Sequence, residues 1–260
     1  MQTLTLPNNL SSFAATGGQK ALQAAVGGMT ETSKMPGFSF SIPARITCPV
    51  GNKLADIPGT PCFECYADGR GAYGWRPVIA AQHRRLDILR VAIADPAKGR
   101  EWVASFAELL NSKADRAEKK AARLSSKAAG RAYLRDRLYF RWHDSGDVMN
   151  LAHLVLIALV AKATPRLSHW LPTQERATLK AYRKAYGALP ENLTVRVSSP
   201  RVDAPVSGIA SMVLTDPSNP PAGAFTCPAY RDRPGAEKGS CGTCRACWMP
   251  AVALVAYPVH

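Results

Sequence analysis

The seven cysteines of this 260-residue chain fall into two groups with one shared spacing. Both groups read C-P-x12-C-x2-C, and the second group adds one more cysteine after a further two residues. The first group is Cys48, Cys62 and Cys65, and the second is Cys227, Cys241, Cys244 and Cys247. A C-x2-C step puts two thiolates on one tight turn, where both can reach a common metal. The spacing therefore predicts that all seven cysteines are metal ligands.

The second group favours an iron–sulfur cluster over zinc. Zinc sites commonly use two C-x2-C pairs that converge on one ion. In the run from Cys241 through Cys244 to Cys247, three thiolates from one short loop must diverge toward separate metal atoms, and a remote cysteine then completes a cubane. Cys227 is the natural fourth ligand. The group predicts a [4Fe–4S] cluster, with zinc as the alternative.

The first group has only three cysteines. Three thiolates suit a [3Fe–4S] cluster, or a [4Fe–4S] cluster with one iron open to substrate, water or another ligand. An open coordination position is typical of catalytic metal sites. One alternative is a zinc ion bound by the three cysteines and either His83 or His143. Another is a single cluster that takes ligands from both groups.

Composition argues against a secreted or membrane-spanning protein. The cysteine count is odd, and the N-terminus lacks the basic start, apolar core and cleavage site of a signal peptide. The longest apolar run, 151–161, is about half the ~20 residues that span a bilayer. A soluble protein of the cytoplasm is expected, without a membrane partner.

Basic residues are concentrated in one stretch of the chain. Lys and Arg number 33 against 19 Asp and Glu, and residues 113–141 contain ten basic and three acidic side chains. Such a stretch can neutralise phosphates, so it predicts binding of nucleic acid or a nucleotide. The alternative is a solvated helix whose charge only maintains solubility.

The remaining pattern alternates between strands and helices. Strands are predicted at 38–42, 138–142, 168–171, 193–197, 211–214 and 251–257, and helices at 78–94, 101–126, 151–163 and 174–186. Parallel strands need crossover helices, so the fold class is α/β. We expect a partial or TIM-like parallel barrel with long cysteine-bearing loops at both ends. Residues 1–35 are predicted to be a loosely held N-terminal arm, and 36–260 one iron–sulfur domain with its cluster segment at 225–250.

Polar residues follow several of these strands, at the edge where parallel α/β folds place their active sites. His143 and Asp144 are the predicted catalytic residues, and they could serve as an acid–base group, a cluster-facing ligand or a substrate clamp. The alternative is that this loop caps the next helix, through Ser145 or Asp147. Residues 172–175 are predicted to cap the helix that follows them. Arg196 and Ser198 are predicted to meet a carboxylate or phosphate of a ligand.

A strand, a cysteine loop and a helix at the start of a partial barrel resemble the radical S-adenosylmethionine (SAM) enzymes, in which a second cysteine group usually holds an auxiliary cluster. The usual C-x3-C-x2-C is C-x13-C-x2-C here, with the final C-x2-C kept as Cys62 and Cys65. The resemblance implies SAM as a cofactor. The predicted cofactor contacts are Tyr66, Trp142, Arg196 and Ser198.

A second resemblance is to phage-encoded proteins of the gene-product-88 type. It is carried by the motifs CFECYA at 62–67, GAY at 71–73, RWHDSGD at 141–147, LPT at 171–173 and RVS at 196–198. The combined expectation is a phage iron–sulfur protein, a radical-SAM-like enzyme that acts on a nucleotide or nucleic acid. The alternatives are a non-catalytic metal-stapled protein that binds nucleic acid, and a redox or regulatory iron–sulfur protein without SAM.

Overall fold

Seven β-strands form a single sheet in this computed structural model, which describes residues 6–32, 34–229 and 239–259. The strands are β1 (Phe38–Phe40), β2 (Tyr139–Trp142), β3 (Ser168–Thr173), β4 (Leu193–Ser198), β5 (Ala210–Leu214), β6 (Ala224–Thr226) and β7 (Leu254–Pro258). Their order is β1-β2-β3-β4-β5-β7-β6, and every neighbouring pair is parallel. The predicted parallel α/β class is confirmed, with β1 and β6 as the end strands.

The described residues also form seven α-helices. They are α1 (Gly18–Val26), α2 (Pro49–Leu54), α3 (Arg76–Ala94), α4 (Pro96–Ala121), α5 (Lys127–Arg135), α6 (Leu151–Ala163) and α7 (Arg176–Tyr186). Helix α6 has the predicted bounds, because its apolar run is long. Helix α4 begins before the predicted start, since Asp95 caps it by accepting a hydrogen bond from the Ala97 amide at 2.7 Å.

Alternation along the strands gives the sheet two different faces. On β2, Phe140 and Trp142 are fully buried in the same core cluster as apolar residues of α3, α4, α6 and α7. Tyr139 lies on the opposite face, in a second cluster that contains Trp170 and Trp248. The helices therefore cover one face, and the cysteine-bearing C-terminal segment covers part of the other.

An aromatic cluster holds β1 and β2 against α4. Its rings belong to Phe40, Trp102, Phe106, Phe140 and Trp142, and their contacting pairs have centroids 4.8–6.3 Å apart. Edge-to-face and tilted contacts of this kind stabilise a core beyond the area that they bury. The first cysteine loop and the His143 loop both follow strands that this cluster fixes.

Part of the predicted arm is packed, not loose. Leu22 and Val26 of α1 are buried in the main core cluster. The Ala15 amide donates to the Ser105 hydroxyl of α4 at 2.9 Å. Residues 1–5 lie outside the described residues.

Short elements and caps are where the sequence predictions differ from the structure. Helix α2 and strand β6 were not predicted, because six and three residues are too few for a periodic pattern. The predicted helix 101–126 ends at Ala121, and α5 follows separately. The cap of α6 is Asn150, which accepts from the His153 amide at 2.9 Å, so the prediction of Ser145 or Asp147 was wrong.

Candidate metal centres

The first cysteine group lies around helix α2, directly after β1. Cys48 precedes the helix, and Gly51 faces the sulfur atoms from inside it. A Cβ at position 51 would lie 3.0 Å from the Cys48 Cβ and 3.4 Å from the Cys62 Sγ. Cys65 contributes to the charge environment of both other thiols. The structure thus brings the three predicted ligands together, and glycine leaves space between them.

Two carboxylates stand beside this first group. Asp147, from the loop after β2, accepts hydrogen bonds from the Val148 amide at 2.7 Å and the Gln174 amide at 2.9 Å. Glu175, after β3, accepts from the Val50 amide at 2.7 Å, two residues beyond Cys48. Burial raises the pKa of the Asp147 carboxyl to about 7, although its amide donors oppose the shift. Burial also raises the pKa of Glu175.

Glu175 differs from its predicted role. No side-chain cap bond from Glu175 to α7 is present, and its carboxylate instead fastens α2 to the end of β3. Thr173 takes part of the predicted role, since its hydroxyl accepts from the Glu175 amide at 3.0 Å. Sequence reasoning missed Glu175 as a neighbour of the cysteines, because only the parallel pairing of the strands brings the two loops to one edge.

The four cysteines of the second group line one pocket. Its other lining residues are Phe225, Pro228, Ala246, Trp248 and Val255, and the space left for water-sized molecules inside it is about 10 Å³. Cys227 follows β6 and is held by its amide, which donates to the Ala256 carbonyl of β7 at 2.8 Å. The remote cysteine therefore lines the same pocket as the closely spaced three.

Backbone hydrogen bonds fix the rest of this group. The Cys241 amide donates to the Lys34 carbonyl at 2.8 Å, and the Cys244 amide donates to the Cys241 carbonyl at 2.8 Å. The sulfur of Cys247 lies 3.1 Å from the hydroxyl of Tyr257 on β7. The loop thus contacts both the chain before β1 and strand β7, which lies near the other edge of the sheet.

Arg196 supports the second group from β4. Its side chain is fully buried, and its guanidinium donates to the Cys247 carbonyl at 2.9 Å and the Ala246 carbonyl at 2.8 Å. Further bonds go to the carbonyls of Ala210, Met249 and Ala253. Three of these five acceptors, the carbonyls of Ala246, Cys247 and Met249, lie in or directly beside the cysteine loop. Ser198, the other predicted contact on β4, lies 3.2 Å from the Ser211 hydroxyl of β5.

Arg245 attaches the second group to helix α5. It lies between Cys244 and Cys247 and is only 7% exposed. Its guanidinium donates to the Gly242 carbonyl at 2.7 Å and to the Arg135 carbonyl at 3.0 Å. It also forms an ion pair with Asp136, which follows α5. Sequence reasoning did not predict this role, since an arginine inside a cysteine loop has no distinctive pattern.

A polar cluster lies between the two groups. The Tyr66 hydroxyl donates to the Asp144 carbonyl at 3.0 Å, and the Tyr73 hydroxyl donates to the Asp144 carboxylate at 3.0 Å. The Arg141 guanidinium reaches the Tyr66 hydroxyl at 3.3 Å and stacks 4.6 Å from the Trp170 ring centroid. Burial opposes its charge, but Tyr66, Asp144 and Tyr73 outweigh burial and raise the pKa of Arg141.

Arg141 also acts electrostatically on the second group. It lowers the pKa of the Cys227, Cys241 and Cys247 thiols, against the larger effect of burial. The predicted pair is split here: Asp144 belongs to the cluster, whereas the His143 ring packs 5.0 Å from the His153 ring. Trp142, a predicted cofactor contact, lies in the aromatic core.

His143 is buried and strained. Its backbone φ is 55°, in the left-handed region that non-glycine residues rarely adopt. Within the described residues, neither ring nitrogen has a hydrogen-bond partner. Burial lowers its pKa well below the usual histidine value, so the ring is neutral at physiological pH. Strain of this kind is typically retained where a loop has a function. His83, the other histidine considered as a ligand, is exposed on α3.

All seven cysteines are free thiols. Burial raises the pKa of Cys62 and Cys247 to about 12 and that of Cys241 to about 11. Activated nucleophilic cysteines have lowered pKa values, so these thiols do not fit that class. In the part of the chain that the structure describes, no three or more His, Cys, Asp or Glu side chains have the arrangement of a metal-ion site.

Comparison with known proteins gives one family. Residues 10–250 match the model of a family described as gene product 88, which confirms the resemblance read from the motifs. No curated protein and no solved structure matches the chain. The resemblance to radical SAM enzymes has no such support. No helix among the described residues has the length and apolar character needed to cross a bilayer.

Proposed function

The chain belongs to the gene product 88 family, and we propose that it is an iron–sulfur protein with two centres that acts on a nucleotide or nucleic acid. One observation carries the proposal: the side chains of Cys227, Cys241, Cys244 and Cys247 line a single pocket. Four thiols from one short loop and one remote position are the donor set that cubane clusters use.

The first centre would be held by Cys48, Cys62 and Cys65. With three thiolates, one metal position is left for a substrate or another ligand, which is the property of catalytic centres. A bound iron–sulfur centre would supply one-electron chemistry. The chain's own contribution is the neighbouring polar cluster, in which Arg141 offers a cation and Asp144 an acceptor. We propose this cluster as the substrate-orienting part of the site.

SAM is the co-substrate that we propose for the radical-SAM-like activity. Strands β1 to β5 lie side by side in the order in which they follow along the chain, and this order is compatible with the partial barrel of such enzymes. Tyr66 is the predicted cofactor contact nearest the first group, since it follows Cys65 directly. The basic stretch supports a polyanionic substrate.

Purification without oxygen tests the proposal directly. We expect a brown protein that contains iron and acid-labile sulfide, with an electron spin resonance signal after reduction. Reduction in the presence of SAM should then yield 5′-deoxyadenosine. A colourless protein without iron or sulfide, even after anaerobic reconstitution, would overturn the iron–sulfur proposal. Intact clusters without SAM cleavage would leave a redox or regulatory protein.

The second candidate is a zinc-stapled nucleic-acid-binding protein. The observation in its favour is the extensive backbone anchoring of the second group, in which Arg196 and Arg245 bond to several loop carbonyls. Structural zinc sites stabilise loops of this kind. Stoichiometric zinc in a colourless protein, lost together with folding on chelation, would favour this candidate.

A further inference from the structure

The α4–α5 pair carries a cationic surface. Each acidic residue in the same stretch forms an ion pair with an arginine from another part of the chain. Among residues 113–141, eight basic side chains are exposed: Arg116, Lys119, Lys120, Arg123, Lys127, Arg131, Arg135 and Arg137. We call this set the basic face. Three acidic residues lie in the same stretch, namely Asp115, Glu118 and Asp136. Whether they cancel the charge depends on their partners.

Each of these acids is paired with an arginine that belongs to another part of the chain. Arg166, which precedes β3, contacts Asp115 at 2.7 Å and Glu118 at 2.9 Å. Arg245, from the second cysteine group, pairs with Asp136. Each acid therefore has an arginine outside the basic face as its ion-pair partner, and the lysines and arginines of the basic face keep their charge available to a partner.

Close packing of the two helices makes the basic face continuous. A Cβ at Gly130 would lie 3.0 Å from the Ala121 carbonyl oxygen, so glycine allows α5 to approach the end of α4. Tyr133 is flanked by Lys120 at 5.0 Å and Arg137 at 5.1 Å from its ring centroid. These cation–π contacts join side chains from both helices into one surface.

We propose that the basic face binds the phosphate backbone of nucleic acid, and that Arg166 keeps it positive by occupying Asp115 and Glu118. The proposal deepens the proposed function by locating its polyanionic partner. A membrane surface fits less well, because amphipathic membrane helices present bulky apolar residues beside their cations. Within residues 113–141, all of them described, Leu124 is the single large apolar side chain that is exposed.

Salt-dependent binding tests the proposal. A fluorescein-labelled DNA strand and its duplex would be titrated with the full-length protein at several salt concentrations. The triple variant K127Q/R131Q/R135Q removes one row of cations along α5. Each lost phosphate contact should reduce the slope of log affinity against log salt by about 1, so the triple variant should lose roughly 3. The matched control is K180Q/R183Q/K184Q on α7, which changes net charge equally.

Arg166→Gln tests the masking role, with Arg183→Gln as its control. Freed Asp115 and Glu118 should weaken binding more than the loss of one distant charge does. Equal losses for the α5 and α7 triples, or binding that is independent of salt, would overturn the proposal. Preferential capture by phosphatidylserine vesicles over DNA would overturn it as well. Thermal unfolding by circular dichroism verifies that each variant folds.

Iron and sulfide content, measured on the same preparations, separates this proposal from the proposed function. DNA binding that is absent while both centres are loaded would overturn only the binding face. Intact, salt-dependent binding by protein that never incorporates iron would overturn only the iron–sulfur proposal.

Discussion

The first cysteine group lies beside two carboxylates, Asp147 and Glu175, whereas the second lies among guanidinium groups. Arg196 and Arg245 bond to the carbonyls of the second loop, and Arg141 lowers the pKa of three of its thiols. The two groups share C-P-x12-C-x2-C, yet buried or half-buried carboxylates contact one group and guanidinium groups anchor the other. A duplicated spacing therefore does not produce duplicated sites, because the neighbouring strands supply the environment.

This difference suggests different roles. Cations and backbone anchoring stabilise a fully ligated, negatively charged centre, which is the pattern of a structural or electron-storing site. The carboxylates beside the first group disfavour additional negative charge there. The missing fourth thiolate leaves one metal position open for a ligand. The comparison therefore favours the first group as the reactive centre and the second as its support.

The largest expected effect comes from removing a ligand of each group. Cys247→Ser should eliminate the second centre and about half of the bound iron, while the spin-resonance signal of the first centre remains. Cys62→Ser should do the reverse. Iron analysis and spectra of the two variants provide the measurement, with each as the other's control. If either substitution abolishes both signals, one cluster shares ligands from both groups.

Arg196→Met should destabilise the fold by about 3–5 kcal/mol, because five carbonyls, three of them in buried hydrogen bonds, lose a charged donor. Equilibrium urea unfolding measures the loss. Arg201→Met, at an exposed position, is the control and should change the free energy of unfolding by less than about 0.5 kcal/mol. A loss below about 1 kcal/mol for Arg196→Met would mean that the second loop does not depend on this anchor.

Asp147 should make stability fall as pH rises. Its folded-state pKa is raised to about 7, mainly by burial, while the unfolded value is near 4. Folding is therefore favoured by protonation, so the contribution is complete below about pH 4 and is lost as pH rises through 7.

The slope from this one group cannot exceed about 1.4 kcal/mol per pH unit. Three buried histidines, His143, His153 and His169, have lowered pKa values and make stability rise with pH, so the measurement is the difference in slope between the wild type and Asp147→Asn in urea unfolding. The control Asp203→Asn, far from the cysteines in sequence, should keep the slope. An unchanged slope in Asp147→Asn would assign the dependence to other groups.

The smallest expected effect is that of Gly51→Ala. The new methyl would lie 3.4 Å from the Cys62 sulfur, so it should weaken metal binding by the first group and leave the second unaffected. Helix propensity favours alanine by about 1 kcal/mol, and this offsets the tight 3.0 Å approach to the Cys48 Cβ, so stability should change little. Competition with a chelator measures metal retention. Lys180→Ala, at an exposed position of α7, is the control, and equal loss in both variants would exclude a local effect.

Sequence alone determined the parallel α/β class, the bounds of α6 and the two cysteine groups. A long apolar helix and a fixed thiol spacing are local properties, so periodicity and counting suffice to find them. The same reasoning assigned Glu175 to a helix cap and Trp142 to a ligand, since a sequence pattern does not reveal which loop or helix a side chain meets.

Only the tertiary structure decided which residues surround each group. Parallel pairing brings the loops after β1, β2 and β3 to one edge, and this places Asp147 and Glu175 beside the first group. Alternation along β2 and β4 turns Arg141 and Arg196 to the face that the C-terminal segment covers. Burial then fixes their partners, because a buried charge must find hydrogen-bond acceptors wherever the fold supplies them.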